Sequence, residues 1–461
     1  MRLSRLAAAA VLVIPFSYGQ SLPELGDISS ASLSPQMEAR IGQEAYRDFR
    51  YRNPAYLDDP EIAGYVERLG GKLASSTSDR KQRFEFFVLR DTTINAFAMP
   101  GGFIGVHTGL ISAAQSESEV ASVLAHEISH VTQRHIARMI GKQNDITMPT
   151  LAAMVVALLA ARSNPDIAGA TLATVTAGSI QAQLNFSRDF EREADRLGFQ
   201  LLLDAGFDVH AMAAFFGRLQ KANRLIEGGA PAYLRTHPMS VERMSDMQNR
   251  AQNLPAKLLM DSEEFNIVRA KIRVSQGVPR DNVQIAEEQL RDRKFASETA
   301  ARYFLVEALI RDQNLVRAEA EMAGLLKLRP VHPMVETLAA RLDIARGRAS
   351  QAIERLTALR LRSPDNLAAS MLLLDVYQAS GRHLEALNVL NGLIKAYPKD
   401  AKLFEMQARS YAATNQTARM HFALAQQYYA MGALAGAIEQ LSFAQKAKDS
   451  DFYLSSEIDV R

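Results

Sequence analysis

The stretch VLAHEISHVTQRH (residues 123–135) places three histidines and a glutamate within a short segment. His126 and His130 are four residues apart, so on a helix both imidazoles leave the same face. Two neutral imidazoles that lie this close can share one tetrahedral Zn²⁺ ion. Glu127 follows the first histidine and can reach a metal-bound water as a general base. The spacing therefore predicts a hydrolytic zinc site, although the pattern HExxH also arises by chance on helices.

His135 does not fit this face. It lies five residues beyond His130, which on a continuous helix is roughly 140° around the axis. We therefore expect His135 to point away from the site, toward solvent or a neighbouring helix. The metzincin pattern would need a glycine and a histidine where Gln133 and Ile136 stand. The third ligand must come from another segment of the chain.

The segment FSRDFEREADRLG (186–198) supplies the best candidates for that ligand. Glu191 and Asp195 are four residues apart, so they share one face of a second predicted helix. One carboxylate can bind zinc while the other orients a ligand histidine through its free N–H group. Glu193 lies on the opposite side, where we expect it to be solvated or ion-paired. The alternative for the whole segment is an ordinary acidic helix surface.

The elements around these motifs are of two kinds. Residues 83–91 (RFEFFVLRD) alternate and predict a strand, and residues 95–111 (NAFAMPGGFIGVHTGLI) predict a hairpin around a Pro-Gly-Gly turn. The pattern from residue 116 to about 219 is mostly helical. An apolar run at 148–161 is too short to span a bilayer comfortably, which favours a buried helix and leaves a membrane-surface contact open.

The C-terminal half repeats itself with a period of about 34 residues, the length of a tetratricopeptide unit. The recurring positions are Pro330, Pro364 and Pro398, then Gly347 and Gly381, and also Ala318, Ala352 and Ala386. Small residues at helix crossings and proline at the unit boundary are typical of such repeats. About four units fit between residues 298 and 448, with an irregular stretch near 415–431. The concave face of such a solenoid commonly binds peptide or protein; a passive helical cap is the alternative.

The composition and the N-terminal sequence limit which compartment and which partners can be expected. The net charge of +2 gives no electrostatic argument for a nucleic acid partner. Arg2 and Arg5 precede an apolar stretch at 6–16, and the small residues Ser17 and Gly19 follow it. This order predicts a secretory signal peptide over residues 1–19 and an exported protein. A buried N-terminal helix is the alternative.

HEISH (126–130), followed by E-x-x-x-D at Glu191 and Asp195, resembles the zinc metallopeptidase family that includes the CAAX prenyl protease and heat-shock protease X. The resemblance covers nearly the whole mature chain. It implies that His126, His130 and Glu191 bind one Zn²⁺ per chain, with Glu127 catalytic and Asp195 supporting a ligand. Membrane members of the family carry spanning helices that this sequence does not predict, which favours a soluble periplasmic enzyme over one that cleaves prenyl peptides.

Two further segments match this family. The hairpin at 95–111 resembles an edge along which an extended substrate would pair by strand addition; an ordinary structural hairpin is the alternative. The segment YLRTHPMSVERM (233–244) contains His237, which the resemblance suggests as a fourth, inhibitory zinc ligand. A helix-start role for His237 and Pro238, without metal contact, stays open. Arg243 is a candidate for stabilising the oxyanion of the tetrahedral intermediate.

We therefore predict a mainly α protein. Its parts are a signal peptide at 1–19, a zincin-like metalloprotease domain of helices and a small β-sheet at 20–262, and an α-solenoid of tetratricopeptide repeats at 263–461.

The order of these parts is similar to that of a periplasmic member of this peptidase family that acts in outer-membrane protein assembly. This resemblance implies a periplasmic zinc endopeptidase in the quality control and assembly of outer-membrane β-barrel proteins. Its partners would be unfolded or misassembled outer-membrane proteins, and the β-barrel assembly machinery through the repeats. No nucleic acid partner is expected, and peripheral membrane contact stays open. The main alternative is a largely non-proteolytic periplasmic chaperone or scaffold with a latent zinc site. A pure repeat scaffold with a degenerate protease domain is weaker, because the ligand set is complete.

Overall fold

The structure is a computed structural model that describes residues 33–141, 188–225, 231–257, 259–328 and 332–460. The predicted signal peptide and the apolar run at 148–161 lie outside the described residues. The described part is mainly helical and contains one small sheet, which confirms the predicted fold class. Within it, no helix has both the length and the apolar character that a membrane crossing needs.

The sheet has three strands in the order β1-β3-β2. The strands are Glu85–Leu89 (β1), Ala96–Ala98 (β2) and Phe103–His107 (β3). β3 pairs parallel with β1 and antiparallel with β2, so β2 forms one edge of this sheet. A 3₁₀ turn at Pro100–Gly102 joins β2 to β3, and its Gly101 has a φ of 79°. Residues other than glycine rarely adopt that backbone conformation. The predicted hairpin is confirmed, but its second strand ends at His107 rather than at residue 111.

Helices surround this sheet in the N-terminal part of the chain. They run Pro35–Arg52 (α1), Pro60–Ala74 (α2), Thr108–Ala113 (α3), Glu117–Thr132 (α4), His135–Gly141 (α5), Arg188–Asp204 (α6), His210–Leu225 (α7), Ala232–Thr236 (α8) and Val241–Gln252 (α9). Helix α4 is the central one, and every residue from Ser118 to Val131 is buried. The sheet, α2, α6 and α7 all pack around it. Its polar side chains are therefore removed from solvent and need partners inside the protein.

The remaining helices form an array of successive helices. They run Glu263–Gln276 (α10), Pro279–Arg291 (α11), Glu298–Arg311 (α12), Leu315–Leu328 (α13), Pro333–Ala345 (α14), Ala349–Arg362 (α15), Leu367–Ala379 (α16), His383–Ala396 (α17), Ala401–Ala413 (α18), Thr417–Met431 (α19), Leu434–Lys446 (α20) and Phe452–Val460 (α21). Consecutive helices from α11 to α21 pack on one another, and α10 packs on α12. The prediction of an irregular stretch near 415–431 is wrong, because this stretch is almost entirely the helix α19.

A left-handed residue marks the turn inside four successive helix pairs. These residues are Gln313 (φ 59°), Gly347 (φ 75°), Gly381 (φ 71°) and Asn415 (φ 56°). They follow one another at equal intervals of one repeat period. Glycine adopts this backbone conformation without strain, and asparagine tolerates it better than most residues. The period therefore extends one unit to each side of the two glycines that reveal it in the sequence.

The array and the N-terminal part share one hydrophobic core. A continuous buried cluster includes Ile62 of α2, Val106 of β3, Val123 of α4, Phe265 of α10 and Leu338 of α14. The predicted boundary at residue 262 stays a prediction, but the core crosses it without interruption. The first helices of the array are therefore part of the scaffold that holds α4 in place.

Candidate metal centre

His126 and His130 occupy the buried middle of α4. They are 0% and 1% exposed, and their Nε2 atoms lie 2.9 Å apart. Helix α4 places them side by side because they are one turn apart. The structure thus brings together the two histidines of the sequence motif, with one nitrogen of each ring facing the other.

Glu191 of α6 and His237, the residue after α8, complete a four-residue cluster. The carboxylate of Glu191 lies 3.4 Å from Nε2 of His126 and 3.5 Å from Nε2 of His130. Nδ1 of His237 lies 3.0 Å from Glu191 Oε1 and 3.4 Å from His126 Nε2. One ligand atom from each residue lies within 4.8 Å of the others.

This donor set fits Zn²⁺. Nitrogen and oxygen ligands at about 2.0–2.1 Å from zinc in a tetrahedron lie roughly 3.3 Å from one another. The shortest separations, from 2.9 Å to 3.5 Å, lie around that value, and no pair of the four ligand atoms is more than 4.8 Å apart. All four side chains are buried, and buried polar groups need partners. The cluster can therefore hold one zinc ion through His126, His130, Glu191 and, where it stays in place, His237.

Asp195 lies behind His126. Its Oδ1 atom is 3.1 Å from Nδ1 of His126, on the side of the ring opposite to the cluster. Arg243 of α9 holds the same carboxylate from the other side, since its Nε donates to Oδ2 over 2.6 Å and its Nη2 to Oδ1 over 2.8 Å. A carboxylate fixed in this way orients the imidazole and leaves Nε2 of His126 directed toward the metal position.

Arg243 makes contacts that differ from those of an oxyanion-stabilising residue. Besides Asp195, its Nη1 atom contacts Glu191 Oε2 at 3.0 Å and donates to the Pro238 carbonyl over 2.6 Å. The guanidinium is 3% exposed, so its N–H groups are directed at these partners. The geometry favours a role in which Arg243 positions Asp195 and Glu191, rather than the contact with a substrate oxygen that the sequence suggested.

Glu127 lies beside the cluster and is fully buried. Its Oε2 atom accepts a hydrogen bond from the backbone N–H of Ala98, at the end of β2, over 3.0 Å. Its Oε1 atom has no hydrogen-bond partner among the described residues and lies 3.4 Å from Nε2 of His237. One oxygen of Glu127 is therefore fixed on the sheet edge, and the other faces the cluster.

His135 corrects one of our expectations. Helix α4 ends at Thr132, and Arg134 is left-handed with φ 50°, so the chain turns before α5 begins. His135 is consequently fully buried, with its Nδ1 atom 2.8 Å from Nδ1 of His130. The expectation of an exposed His135 was wrong because it assumed one continuous helix, whereas the alternative of a neighbouring helix is confirmed by its contacts with Glu193 and Phe190 of α6. Burial lowers the pKa of His135 to about 4.

Glu193 is ion-paired. Its Oε2 atom lies 2.9 Å from Arg138 Nη1 and 3.1 Å from Nε2 of His135. Sequence reasoning missed the contact between Glu193 and His135, and the only signal for it was the histidine itself, since no glycine or proline marks the break after Thr132.

The surroundings of the cluster raise the pKa of one of its members and lower the pKa of two others. Burial alone would lower the pKa of His126, but hydrogen bonds with Asp195 and Glu191 raise it to about 9. Burial lowers the pKa of His130 well below its ordinary value, and His126 acts in the same direction. Burial would raise the pKa of Glu191, but His237 and His126 hold it well below its ordinary value. An ionised carboxylate and a neutral His130 are the forms that bind a cation.

Comparison with known proteins gives two family matches. The model of peptidase family M48 matches residues 60–251, which include all four cluster residues and Glu127. A tetratricopeptide repeat model matches residues 343–410, which run from the end of α14 into α18.

Individual relatives extend the similarity to most of the chain. The beta-barrel assembly-enhancing protease of Escherichia coli K12 is 31% identical over 427 residues, which cover 92% of this chain and 87% of the relative. A Vibrio cholerae relative of the same description is 41% identical over 251 residues, or 54% of this chain and 51% of the relative. The mitochondrial metalloendopeptidase OMA1 of Schizosaccharomyces pombe is 31% identical over 218 residues, or 47% of this chain and 61% of the relative.

Proposed function

Because this chain belongs to peptidase family M48 and is a zinc metallopeptidase with tetratricopeptide repeats, we propose that it acts in the periplasm on outer-membrane β-barrel proteins during their assembly. Its substrates would be unfolded or misassembled barrel proteins. The similarity over 92% of the chain to a protein described as a beta-barrel assembly-enhancing protease supports this substrate class. The signal peptide predicted at residues 1–19 supports the compartment.

The observation that carries the proposal is the buried cluster with Glu127 beside it. His126, His130 and Glu191 would hold the zinc ion. Bound zinc polarises a carbonyl oxygen and makes a bound water more acidic. Glu127 would accept the proton of the attacking water and donate it to the leaving amine. Its Oε1 atom suits this role because it is buried and has no hydrogen-bond partner among the described residues.

The edge strand β2 gives the substrate a place to bind. An extended peptide can add to an edge strand through main-chain hydrogen bonds. β2 lies at an edge of the sheet, and the N–H group of its last residue, Ala98, donates to Glu127. A peptide paired along β2 would therefore have its backbone next to the carboxylate of Glu127. An unfolded barrel protein offers such extended segments, whereas a folded barrel has its strands paired.

A second function, that of a chaperone or scaffold with a latent site, is favoured by His237. Its Nδ1 atom lies within hydrogen-bond distance of Glu191, and its Nε2 atom is 3.4 Å from Glu127. The ring stacks on Tyr233 with centroids 4.6 Å apart and is fully buried. In this position His237 would fill the side of the cluster where a water or a substrate would have to bind. We therefore propose that the protease is restrained until His237 moves.

The repeats would recruit partners of the assembly machinery. Ion pairs link them to the peptidase part at several positions along the array. Lys271 of α10 lies 2.6 Å from Asp59 and Glu61, and Arg50 of α1 lies 2.9 Å from Asp400, next to α18. A partner held by the array would thus stay close to the cluster, which suits delivery of a substrate.

The test is a digestion experiment with the purified mature chain. Zinc content is measured first, and then an unfolded outer-membrane β-barrel protein and the same protein folded in detergent are incubated with the enzyme. We expect one zinc per chain and cleavage of the unfolded form alone. Equal cleavage of both forms would argue against the proposed substrate class. Zinc binding without cleavage by either the wild type or His237→Ala would favour the chaperone.

A further inference from the structure

His135 connects His130 to the carboxylate of Glu193. Nδ1 of His135 lies 2.8 Å from Nδ1 of His130, and its Nε2 lies 3.1 Å from Oε2 of Glu193. Arg138 holds the same carboxylate oxygen from 2.9 Å. The contacts form a continuous hydrogen-bonded series from the second histidine of the motif to an ion pair at the surface.

The chemistry of the partners fixes the direction of these hydrogen bonds. An ionised carboxylate accepts hydrogen bonds and cannot donate them, and a neutral imidazole carries one N–H group. His135 must therefore donate from Nε2 to Glu193, which leaves its Nδ1 as an acceptor. That acceptor requires an N–H group on Nδ1 of His130. The lone pair of His130 then lies on Nε2, the atom that is 2.9 Å from Nε2 of His126 within the cluster.

We propose that His135 is a positioning residue, which together with Glu193 fixes the tautomer and the orientation of His130 so that Nε2 is presented to the metal. The inference rests on the proposed role of His130 as a zinc ligand. His135 itself does not contact the metal position in this assignment, since its two ring nitrogens face His130 and Glu193.

The two ligand histidines are thus supported in two different ways. His126 contacts a carboxylate directly, through the 3.1 Å separation of its Nδ1 from Asp195. Nδ1 of His130 is connected to the carboxylate of Glu193 through the ring of His135. The reason is the placement of the acidic groups on α6: Asp195 faces α4 on the same side as Glu191, whereas Glu193 lies on the flank of the helix toward α5. An interposed imidazole bridges that extra distance.

The ring of His135 is held rigidly enough to orient another side chain. The left-handed backbone of Arg134 directs it inward, and it is fully buried. It stacks on Phe190 of α6 with ring centroids 4.5 Å apart and an angle of 11° between the planes. Support behind metal ligands of this kind typically changes metal affinity by about 10–100-fold when it is removed.

The experiment measures zinc affinity by competition with a chelator in the full mature chain. We expect His135→Ala to bind zinc about 10–100-fold more weakly than the wild type. His135→Gln should recover part of that loss, because the amide oxygen can accept from Nδ1 of His130. Leucine has a volume similar to that of glutamine but no hydrogen-bond acceptor, so His135→Leu should not recover the lost zinc affinity. His210→Ala is the matched control, since His210 is 36% exposed and pairs with Asp208 on another surface; its zinc affinity should equal that of the wild type.

A spectroscopic measurement separates positioning from packing. Cobalt(II) replaces zinc, and its visible absorption depends on the ligand geometry. The spectrum of His135→Gln should resemble that of the wild type, and the spectrum of His135→Leu should differ from both. A His135→Leu protein that matches His135→Gln in affinity and spectrum would overturn the inference, because the ring would then matter only for packing.

The remaining outcomes also test the positioning role of His135. If His135→Ala fails to fold, Glu193→Ala keeps the ring and should lower zinc affinity by a few fold; an unchanged affinity would overturn the inference. Zinc affinity of His135→Ala within twofold of the wild type would overturn it as well, while leaving the proposed function intact. A wild-type chain that binds no zinc would overturn both.

Discussion

Gly198 of α6 packs directly against the backbone of His126 in α4. The Cβ atom that a substitution would add at Gly198 would lie 3.1 Å from the amide nitrogen of His126 and 3.2 Å from the carbonyl oxygen of Ala125. These contacts are tighter than most Cβ contacts in proteins. The lack of a side chain at this position therefore sets how close the helix carrying Glu191 can approach the helix carrying the two histidines.

Gly198→Ala should consequently weaken zinc binding. The added methyl group would move α6 from α4 by a few tenths of an ångström and separate Glu191 from His126. We expect zinc affinity to fall several-fold, which chelator competition measures. Gly217→Ala in α7 is the control, because nothing lies within 4 Å of a Cβ there. That change should leave zinc affinity unchanged and stabilise the helix by up to about 1 kcal/mol. Equal affinity of both variants would show that the close approach is not needed.

Arg243→Ala should lower zinc affinity as well as activity. The substitution leaves the buried carboxylates of Asp195 and Glu191 without the cation that holds them. We expect a loss in affinity of about 10-fold or more, as for other residues that orient metal ligands. Arg250→Ala, on the same helix but 39% exposed, should have no effect. If Arg243→Ala binds zinc like the wild type and only its kcat falls, the oxyanion role suggested by the sequence would be the better description.

His237→Ala tests the restraint on the site. If His237 occupies the fourth position, its removal should keep zinc bound and raise the rate at which an unfolded barrel substrate is cleaved. The side chain stacks on Tyr233 and is fully buried, so the fold of the variant should be checked by circular dichroism. A time course of digestion with the wild type beside the variant gives the answer. A slower variant with its zinc intact would assign His237 to stabilisation of the tetrahedral intermediate instead.

Asp59→Asn tests the link between the peptidase part and the repeats. Oδ1 of Asp59 caps α2, and Oδ2 lies 2.6 Å from Lys271 of α10. Asparagine can also cap a helix, so the substitution removes the charge and keeps the cap. Burial would raise the pKa of Asp59, but the charge of Lys271 holds it below its ordinary value. The charged carboxylate therefore stabilises the fold above the unfolded pKa of about 3.9, and this contribution is lost as the pH falls through the lower folded pKa.

At pH 7 we expect Asp59→Asn to lower the free energy of unfolding by about 1.5 kcal/mol, which is the lower end of the range for a hydrogen bond to a charged group. The difference from the wild type should shrink below about pH 4, where the unfolded chain binds the proton. Urea denaturation at a series of pH values measures it. The control is Asp48→Asn, because the side chain of Asp48 is 55% exposed and lies 3.6 Å from Arg52 within α1 rather than against the array. It should change stability by at most about 0.5 kcal/mol, as surface substitutions usually do. A cost for Asp59→Asn that does not vary with pH would rule out the ion pair as its source.

The sequence predicted the parts of the protein whose geometry is local. Histidines one turn apart share a face wherever α4 lies, so the pairing of His126 with His130 follows from helix geometry alone. The repeat period and the hairpin around the Pro-Gly-Gly turn also depend on neighbouring residues. The structure confirms the hairpin and the mainly helical class, and the match at 343–410 confirms the repeats.

Other features could not be predicted because they depend on a backbone break or on packing at a distance. The break after Thr132 depends on a left-handed Arg134, a residue type that carries no such preference. It decides where His135 points. Asn415 takes the position that glycine holds in the two preceding units, which made a regular turn look irregular in the sequence. The core shared by α4 and α14 joins residues that are far apart in the chain, and no local pattern reports it.

The central claim is that the buried cluster holds a zinc ion for which Glu127 supplies the general base. Glu127→Gln tests it most directly, because glutamine has nearly the same shape and its side-chain oxygen can still accept from the N–H group of Ala98. Zinc content and the rate of cleavage of an unfolded barrel protein are measured on the same preparations of wild type, Glu127→Gln and His210→Ala. We predict one zinc per chain in all three proteins, and a cleavage rate about 10²–10⁴-fold lower in Glu127→Gln alone. Cleavage by Glu127→Gln at the wild-type rate, with zinc bound, would contradict the account.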